Sequence, residues 1–174
     1  MLHHLSNERD APILLQGLQG WTARDLNHHF YPPRTSTSTD KLNFYSRGGG
    51  FGCVEVDSSN YSIPHVDNVL KWIRSTPKNF IFHFKAFGPL CRNITDTSML
   101  PNYIKAKLLP AQKNKDKFVI TELETHVQDE IWHIYNQALQ PVYTAGKLGG
   151  RYLLLLYYFF SFFFHTISKL DYHY

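Results

Sequence analysis

The sequence has few cysteines, and they do not occur in a spacing that binds metal or serves redox chemistry. Cys53 and Cys91 are its two cysteines, and there is no C-x-x-C pair. This excludes the zinc and redox motifs built on such pairs. We expect both thiols to be reduced in an intracellular, cytoplasmic setting. The segment from Met1 to Asp10 is polar and lacks the apolar stretch of a signal peptide, which favours the same location.

Patterns for metal or nucleic-acid binding are also lacking. The histidine pairs His3-His4 and His28-His29 are adjacent, whereas ligands on one helix face lie four residues apart, so we expect no metal site there. The net charge of +4 is mild, and the lysine-rich stretch from Lys105 to Lys117 contains no aromatic residue. Such a stretch is typical of a solvated loop, and we do not expect nucleic acid as a partner.

A glycine-rich phosphate loop is missing after the first predicted strand. The apolar run from Ile13 to Leu15 predicts a short buried strand. The sequence then reads Gly17-Leu-Gln-Gly20 in place of G-x-G-x-x-G. This weakens the case for a dinucleotide-binding domain.

The rest of the chain alternates strand patterns with helix patterns. Phe51 to Asp57 and Phe80 to Phe87 predict the second and third strands. Asp40 is expected to cap a short helix that Gly48 to Gly50 ends. This alternation predicts an α/β fold with parallel strands and right-handed crossovers, either a (β/α)-barrel or an open doubly wound sheet.

Two longer helices are predicted from apolar spacing. The first is opened by Pro64, and its predicted packing face consists of Val66, Val69, Leu70 and Ile73. The second covers residues 121–147, where Pro141 is expected to bend or end the helix, so that the segment could form two helices.

A series of short motifs is more specific than any of these patterns. In chain order they are Gly20-Trp21, Phe30-Tyr31-Pro32, Phe44-Tyr45, Val54-Glu-Val-Asp-Ser-Ser-Asn-Tyr61, Pro64 with Trp72, and Pro77-Lys-Asn-Phe80 with Phe82 to Lys85. Their order and spacing resemble the YecE-like family, domain of unknown function 72, whose members are TIM barrels. The resemblance covers roughly Ile13 to Leu148, about half of a typical barrel. It implies an incomplete (β/α) TIM barrel of the first three to four β/α units, and it implies neither a reaction nor a cofactor.

This resemblance divides the chain into three parts. They are an N-terminal polar segment (1–11), a partial barrel domain (12–148) and an aromatic-rich apolar tail (149–174). No fourth family strand is recognised in the tail, which looks like translated non-coding sequence. We therefore expect an open edge on the third strand, partly uncovered phenylalanines and a chain that is poorly stable or aggregates when expressed alone.

The tail also raises the alternative of membrane attachment. Its apolar run from Tyr152 to Phe164 is shorter than the roughly 20 residues of a spanning helix. The run is rich in Tyr and Phe, which favour membrane interfaces over the bilayer centre. Membrane attachment is thus an alternative that we do not favour.

In a TIM barrel the site lies at the carboxyl ends of the strands. Strand alternation places Glu55 and Asp57 on one face of the second strand, and His83 and Lys85 on one face of the third. We predict Glu55 and Lys85 as the catalytic pair, with a structural ion pair as an equal alternative.

The predicted ligand-binding residues are Trp21, Asp57 and Tyr61. The expected ligand is a small molecule, with or without a phosphate group. The alternatives are a truncated product without activity and a membrane-attached interaction protein.

Overall fold

The computed structural model describes residues 14–91 and 94–152. In chain order its strands are β1 (Gly17–Gln19), β2 (Cys53–Val56), β3 (Ile81–Lys85), β4 (Thr95–Asp96), β5 (Lys117–Phe118) and β6 (Leu148–Tyr152). Its helices are α1 (Arg24–His29), α2 (Ser38–Arg47), α3 (Val66–Ser75), α4 (Asn102–Lys107), α5 (Pro110–Lys113) and α6 (Thr125–Thr144). The predicted N-terminal segment 1–11 and the tail beyond residue 152 lie outside the described residues.

A parallel sheet of four strands organises the fold. Its order is β1-β2-β3-β6, and each neighbouring pair is parallel. The predicted α/β class with parallel strands is confirmed. A doubly wound sheet reverses its strand order at one point; the order here follows the chain. A small antiparallel pair, β4 with β5, lies in the connection between β3 and α6.

The two faces of the sheet differ in chemistry, as strand alternation requires. Val54, Val56, Phe82 and Phe84 are fully buried and join one core with residues of α2, α3 and α6. The opposite face carries the half-buried side chains Cys53, Glu55, Ile81, His83 and Lys85. The face that could hold a site is therefore the one turned away from the helices.

The first strand lies later in the chain than the apolar run predicts. Leu14 is 97% exposed, and β1 begins at Gly17. Gly17 lies opposite Cys53 in the ladder, and a Cβ atom on Gly17 would lie 2.3 Å from the Cys53 carbonyl oxygen. The backbones approach so closely here that glycine, rather than apolar content, decides where the strand forms.

The helix caps correct a second prediction. Thr37, and not Asp40, caps α2: the Thr37 hydroxyl accepts a hydrogen bond from the Asp40 N–H at 3.0 Å. The Asp40 carboxylate in turn accepts from the Thr37 N–H at 3.2 Å, which completes a capping box. These hydrogen bonds to Thr37 lower the pKa of Asp40.

Helix α3 forms as predicted, and two of its four predicted packing residues, Val69 and Ile73, contact the core. The third, Leu70, is half-buried. Val69 is fully buried, and Trp72 and Ile73 pack against the core, whereas Val66 is 41% exposed. Val66 is the first residue of the helix. The predicted position of Val66 in the packed face is therefore wrong.

Helix α6 is one continuous helix that includes Pro141. The proline neither ends nor divides it. Pro141 lies in the last turn of α6, which ends at Thr144. Proline has no backbone N–H to donate, but so near the end of the helix this removes little of its hydrogen bonding.

The edge of β3 is covered, contrary to expectation. Strand β6 pairs with β3 from Leu148 onward, and Phe80, Phe82, Phe84 and Phe87 are at most 2% exposed. Gly149 makes this possible, because a Cβ atom there would lie 2.3 Å from Ile81 Cγ2 and 2.6 Å from His83 Cε1. The open edge and the uncovered phenylalanines were wrong predictions, while aggregation of the expressed chain stays a prediction.

Lys147, which precedes β6, is a buried cation that caps the C-terminal end of α3. It is 4% exposed, and its ammonium donates to the Ile73 carbonyl at 2.9 Å, the Thr76 carbonyl at 3.0 Å and the Thr76 hydroxyl at 2.8 Å. A cation at a helix C-terminus is favoured by the free carbonyls and the helix dipole. Burial, with a smaller effect from Arg47, lowers the pKa of Lys147.

In the described part of the chain, no helix has both the length and the apolar character needed to cross a membrane. The aromatic run beyond Tyr152 lies outside that part.

Candidate functional site

The carboxyl ends of β2 and β3 are held together by side chains that follow β2. A short 3-10 turn, Asp57–Asn60, continues directly from that strand. Its buried Ser59 hydroxyl lies 2.6 Å from both the Val56 and the Lys85 carbonyl oxygens. The Asn60 amide donates to the Ala86 carbonyl at 2.8 Å. Backbone acceptors at the end of β3 are therefore satisfied by the turn, which fixes where the next side chains point.

Three charged side chains meet at this edge. The Lys85 ammonium lies 3.1 Å from Glu55 Oε1 and also pairs with Asp57 Oδ1. The prediction that Glu55 and Lys85 lie on adjacent parallel strands, on one face, is confirmed. The side chains of Lys85 and Glu55 are 11% and 24% exposed, and that of Asp57 is 36% exposed. Their roles in catalysis stay a prediction.

Glu55 is held less completely than Asp57. Its Oε1 atom is buried and has no hydrogen bond of good geometry to the described residues, although it lies at ion-pair distance from Lys85. Lys85 Nζ and Glu55 Oε1 are close enough for a hydrogen bond but poorly aligned for one, so their contact is a Coulombic attraction. A partly satisfied buried carboxylate is costly in stability and is common at functional sites.

The protonation of Lys85 follows from this arrangement. Burial is the largest single influence and lowers its pKa, but the close contacts with the carboxylates of Asp57 and Glu55, and their negative charges, together outweigh it. The net effect raises the pKa of Lys85. The side chain is therefore an ammonium ion at neutral pH, suited to donating hydrogen bonds or a proton and not to attack as a free amine.

A cleft of about 450 Å³ opens beside the charged group, at the carboxyl ends of β1 and β2. Its lining residues are Gln19, Gly20, Trp21, Thr22, Ala23, Ser38, Val56, Asp57, Ser58, Tyr61 and Trp72. All three predicted ligand-binding residues, Trp21, Asp57 and Tyr61, lie on it. Glu55 and Lys85 do not, and they connect to the cleft through Asp57.

The two predicted aromatic residues differ in what they offer a ligand. Trp21 is 5% exposed, and its indole N–H donates to the Ser38 carbonyl and hydroxyl oxygens, each at 3.0 Å. It also packs edge-on against Trp72, with ring centroids 5.3 Å apart. Trp21 is thus a fixed part of the wall, whereas Tyr61 is 62% exposed and presents its ring at the rim.

Gln19 is a site residue that the motifs did not single out. Its amide donates to Asp57 Oδ1 at 3.0 Å from the neighbouring strand. Its ladder position opposite Glu55 puts it on the same face. Strand alternation from Gly17 would have found it, had β1 been placed correctly.

His83 shares the face of Glu55 and Lys85. It is half-buried, lies opposite Glu55 in the ladder and rests against Gly149. Within the described ranges 14–91 and 94–152, no three histidine, cysteine or carboxylate side chains converge as metal ligands do. Cys53 and Cys91 are both free thiols, and burial raises the pKa of Cys91 to about 11.

Comparison with known proteins now supplies the family. The family model described as "Protein of unknown function DUF72" matches residues 15–162, and the chain belongs to this family. The match extends past residue 148, where the motif resemblance ends. The family predicted from the motifs is confirmed.

Individual relatives match only in part. The chain is 42% identical over 71 residues to the UPF0759 protein YunF of Bacillus subtilis (strain 168), a stretch that is 41% of this chain and 23% of that protein. Two crystal structures of a DUF72 family protein (EF0366) from Enterococcus faecalis V583 match with TM-scores of 0.41 and 0.45, at 16% and 18% identity. They cover 78% and 79% of this chain and 36% and 38% of theirs.

Proposed function

We propose that this chain binds a small molecule at the carboxyl edge of its parallel sheet. The observation that supports this best is the position of Asp57, which lines the cleft and also pairs with Lys85. A ligand in the cleft would therefore contact a carboxylate that is oriented by its contact with a buried ammonium. Ligands of α/β proteins bind in this place, outside the carboxyl ends of the strands.

We further propose that the sheet is an arc of a TIM barrel. The support is its strand order, which follows the chain, and the separation of an apolar helix-facing side from a polar side. The chain aligns with 23% of the length of the Bacillus subtilis relative. An activity carried out by a full-length family member can therefore only be proposed for this chain.

Within the site we assign Glu55 and Lys85 as the acid–base pair and Trp21, Asp57 and Tyr61 as ligand-binding residues. Lys85 does not line the cleft, so as an ammonium it would act on a ligand through Asp57, with which it pairs. Glu55, the less satisfied carboxylate, would accept a proton. The competing role for Glu55 and Lys85 is a structural ion pair that fills the polar face of the sheet, which requires no ligand.

Ligand binding is tested by screening the full chain for small molecules that raise its melting temperature. Tyr61→Ala and Asp57→Asn are expected to abolish the shift produced by a true ligand. Tyr103→Ala is the matched control, because Tyr103 is 50% exposed and lies on α4, away from the cleft lining. A ligand whose effect survives Asp57→Asn and Tyr61→Ala would argue against this site.

A further inference from the structure

We infer that the cleft takes an uncharged, polyhydroxylated molecule of the sugar class, and not a phosphate-bearing one. This inference rests on the proposed function and names the ligand class for that same cleft. It depends on the charges of the lining, the hydrogen-bonding groups that remain available, and the aromatic ring at the rim.

The lining has one charged side chain, and it is negative. No lysine, arginine or histidine is among the residues that line the described cleft; Asp57 is the charged group. The neighbouring cluster has two carboxylates and one ammonium, so it carries about one net negative charge when all three are ionised. A phosphate would enter against this charge without an arginine or lysine to receive it.

The start of α2 does not reverse this preference. Ser38, the first residue of α2, lines the cleft, and a helix N-terminus attracts anions. The negative carboxylate of Asp40 already occupies this helix end, where it accepts a hydrogen bond from the Thr37 N–H in the capping box. An anion in the cleft would also meet the carboxylate of Asp57, which lines it.

The polar groups of the cleft match the hydroxyl groups of a sugar. Both described hydrogen bonds to Asp57, from Gln19 and from Lys85, end on Oδ1. The second oxygen, Oδ2, receives none from the residues that the structure describes, and the Asp57 side chain is 36% exposed. A carboxylate oxygen accepts from ligand hydroxyls, while the hydroxyls of Thr22, Ser38 and Ser58 both donate and accept.

The rim supplies an apolar surface of the right kind. The exposed ring of Tyr61 and the side chain of Trp72 lie on the same cleft as Asp57. Aromatic rings bury large area at low conformational cost and keep a polar end in water. A flat ring beside a carboxylate and several hydroxyls suits the mixed C–H and O–H surface of a sugar, whereas phosphate has no apolar face to place there.

The test compares neutral and phosphorylated ligands that share one skeleton. The full chain is mixed with glucose, ribose or myo-inositol, and separately with glucose 6-phosphate, ribose 5-phosphate or inorganic phosphate. Binding is detected by saturation-transfer NMR, and affinity is measured by titrating each ligand into the protein. We expect at least one neutral polyol to bind about tenfold more tightly than its phosphorylated form, as expected for loss of one good hydrogen bond plus repulsion.

Variants then assign the binding to this cleft. Asp57→Asn and Tyr61→Ala are each expected to weaken the neutral ligand by about tenfold or more. Asp67→Asn is the control, because Asp67 is an exposed aspartate on α3 that pairs with His65. Circular dichroism checks that each variant is folded.

The outcomes separate the two proposals. Tighter binding of a phosphorylated ligand that depends on Asp57 and Tyr61 would overturn the polyol class and keep the binding site. Polyol binding that is unchanged in both variants would overturn the assignment to this cleft. Absence of binding by folded protein in both ligand sets would overturn the polyol inference, and binding of some other compound class at the cleft would leave the proposed function standing.

Discussion

The hydroxyl group of Tyr135 on α6 donates a hydrogen bond to the carbonyl oxygen of Lys85, at an oxygen–oxygen distance of 3.0 Å. The Ser59 hydroxyl reaches the same oxygen at 2.6 Å from the turn after β2. Two elements that are far apart in the chain therefore hold the backbone of the residue that carries the ammonium of the candidate site. The position of Lys85 relative to Asp57 depends on both contacts.

We predict that Tyr135→Phe and Ser59→Ala each lower the free energy of unfolding modestly. Tyr135→Phe should cost about 0.5–1.5 kcal/mol, the usual net value of one hydrogen bond. Ser59→Ala should cost about 1–3 kcal/mol, because Ser59 is fully buried and its single O–H proton lies between the Val56 and Lys85 carbonyl oxygens, which both lose this donor. Urea denaturation followed by circular dichroism measures both.

The shared acceptor makes the double variant informative. With both hydroxyls removed, the Lys85 carbonyl loses both side-chain donors, so the double variant should lose more stability than the sum of the single variants. An excess of about 0.5 kcal/mol or more is expected for groups in one network. Strict additivity would show that the two hydroxyls act independently.

The close approach of β1 and β2 gives a second prediction. Gly17→Ala places a Cβ atom 2.3 Å from the backbone oxygen of Cys53, which cannot move without breaking the ladder. We expect a loss of about 1–3 kcal/mol, typical of overpacking. Gly52→Ala is the control, because the atoms nearest to its Cβ belong to the side chain of Leu15, with Cδ2 at 2.9 Å, and that side chain is 38% exposed. Equal losses in the two variants would contradict this account.

The sequence predicted the parts of the fold that depend on alternation. Val54, Val56, Phe82 and Phe84 alternate with polar residues, so the two faces of β2 and β3 and the meeting of Glu55 with Lys85 followed directly. Strands that depend on close backbone approach were misplaced or missed: β1 was predicted too early in the chain, and β6 was not predicted. β1 contains Gly17 and β6 contains Gly149, and glycine weakens a strand pattern although both contacts require it.

The candidate site was predicted in part for the same reason. Trp21, Asp57 and Tyr61 belong to motifs, and all three line the cleft. Gln19 was missed because its strand was placed too early. The stronger link of Lys85 to Asp57 depends on a 3-10 turn, and alternation within β2 gives no information about a turn that follows it.

The buried cap of α3 leads to a third prediction. Lys147→Met removes the donor for Ile73 and Thr76, whose carbonyls then lack this partner. The expected cost is about 1–3 kcal/mol for each acceptor left unsatisfied. Lys113→Met is the control, since Lys113 is an exposed lysine on α5. The hypothesis of a capping role fails if both variants unfold at the same urea concentration.

The last prediction concerns Lys85 and pH. Its pKa in the folded chain is raised, because the pairing with Asp57 and Glu55 outweighs the opposing and larger single effect of burial. A raised folded pKa means that the folded state keeps a proton that the unfolded state loses. The stabilisation is therefore complete below the unfolded pKa of about 10.4 and is lost as pH rises through the folded pKa.

Lys85→Met should remove this alkaline loss and lower stability at neutral pH. At pH 7 the variant leaves two carboxylates without their ammonium, and we expect a cost of about 1–3 kcal/mol. Above about pH 10.4 the stabilities of wild type and variant should converge. Tyr45, whose pKa burial raises to about 12, also destabilises the fold on titration, but it is present in both proteins and cancels in the difference. Urea denaturation of both proteins between pH 7 and pH 11 measures the effect. A constant difference across that range would mean that Lys85 contributes packing alone, and that its pairing with Glu55 and Asp57 does not stabilise the folded chain.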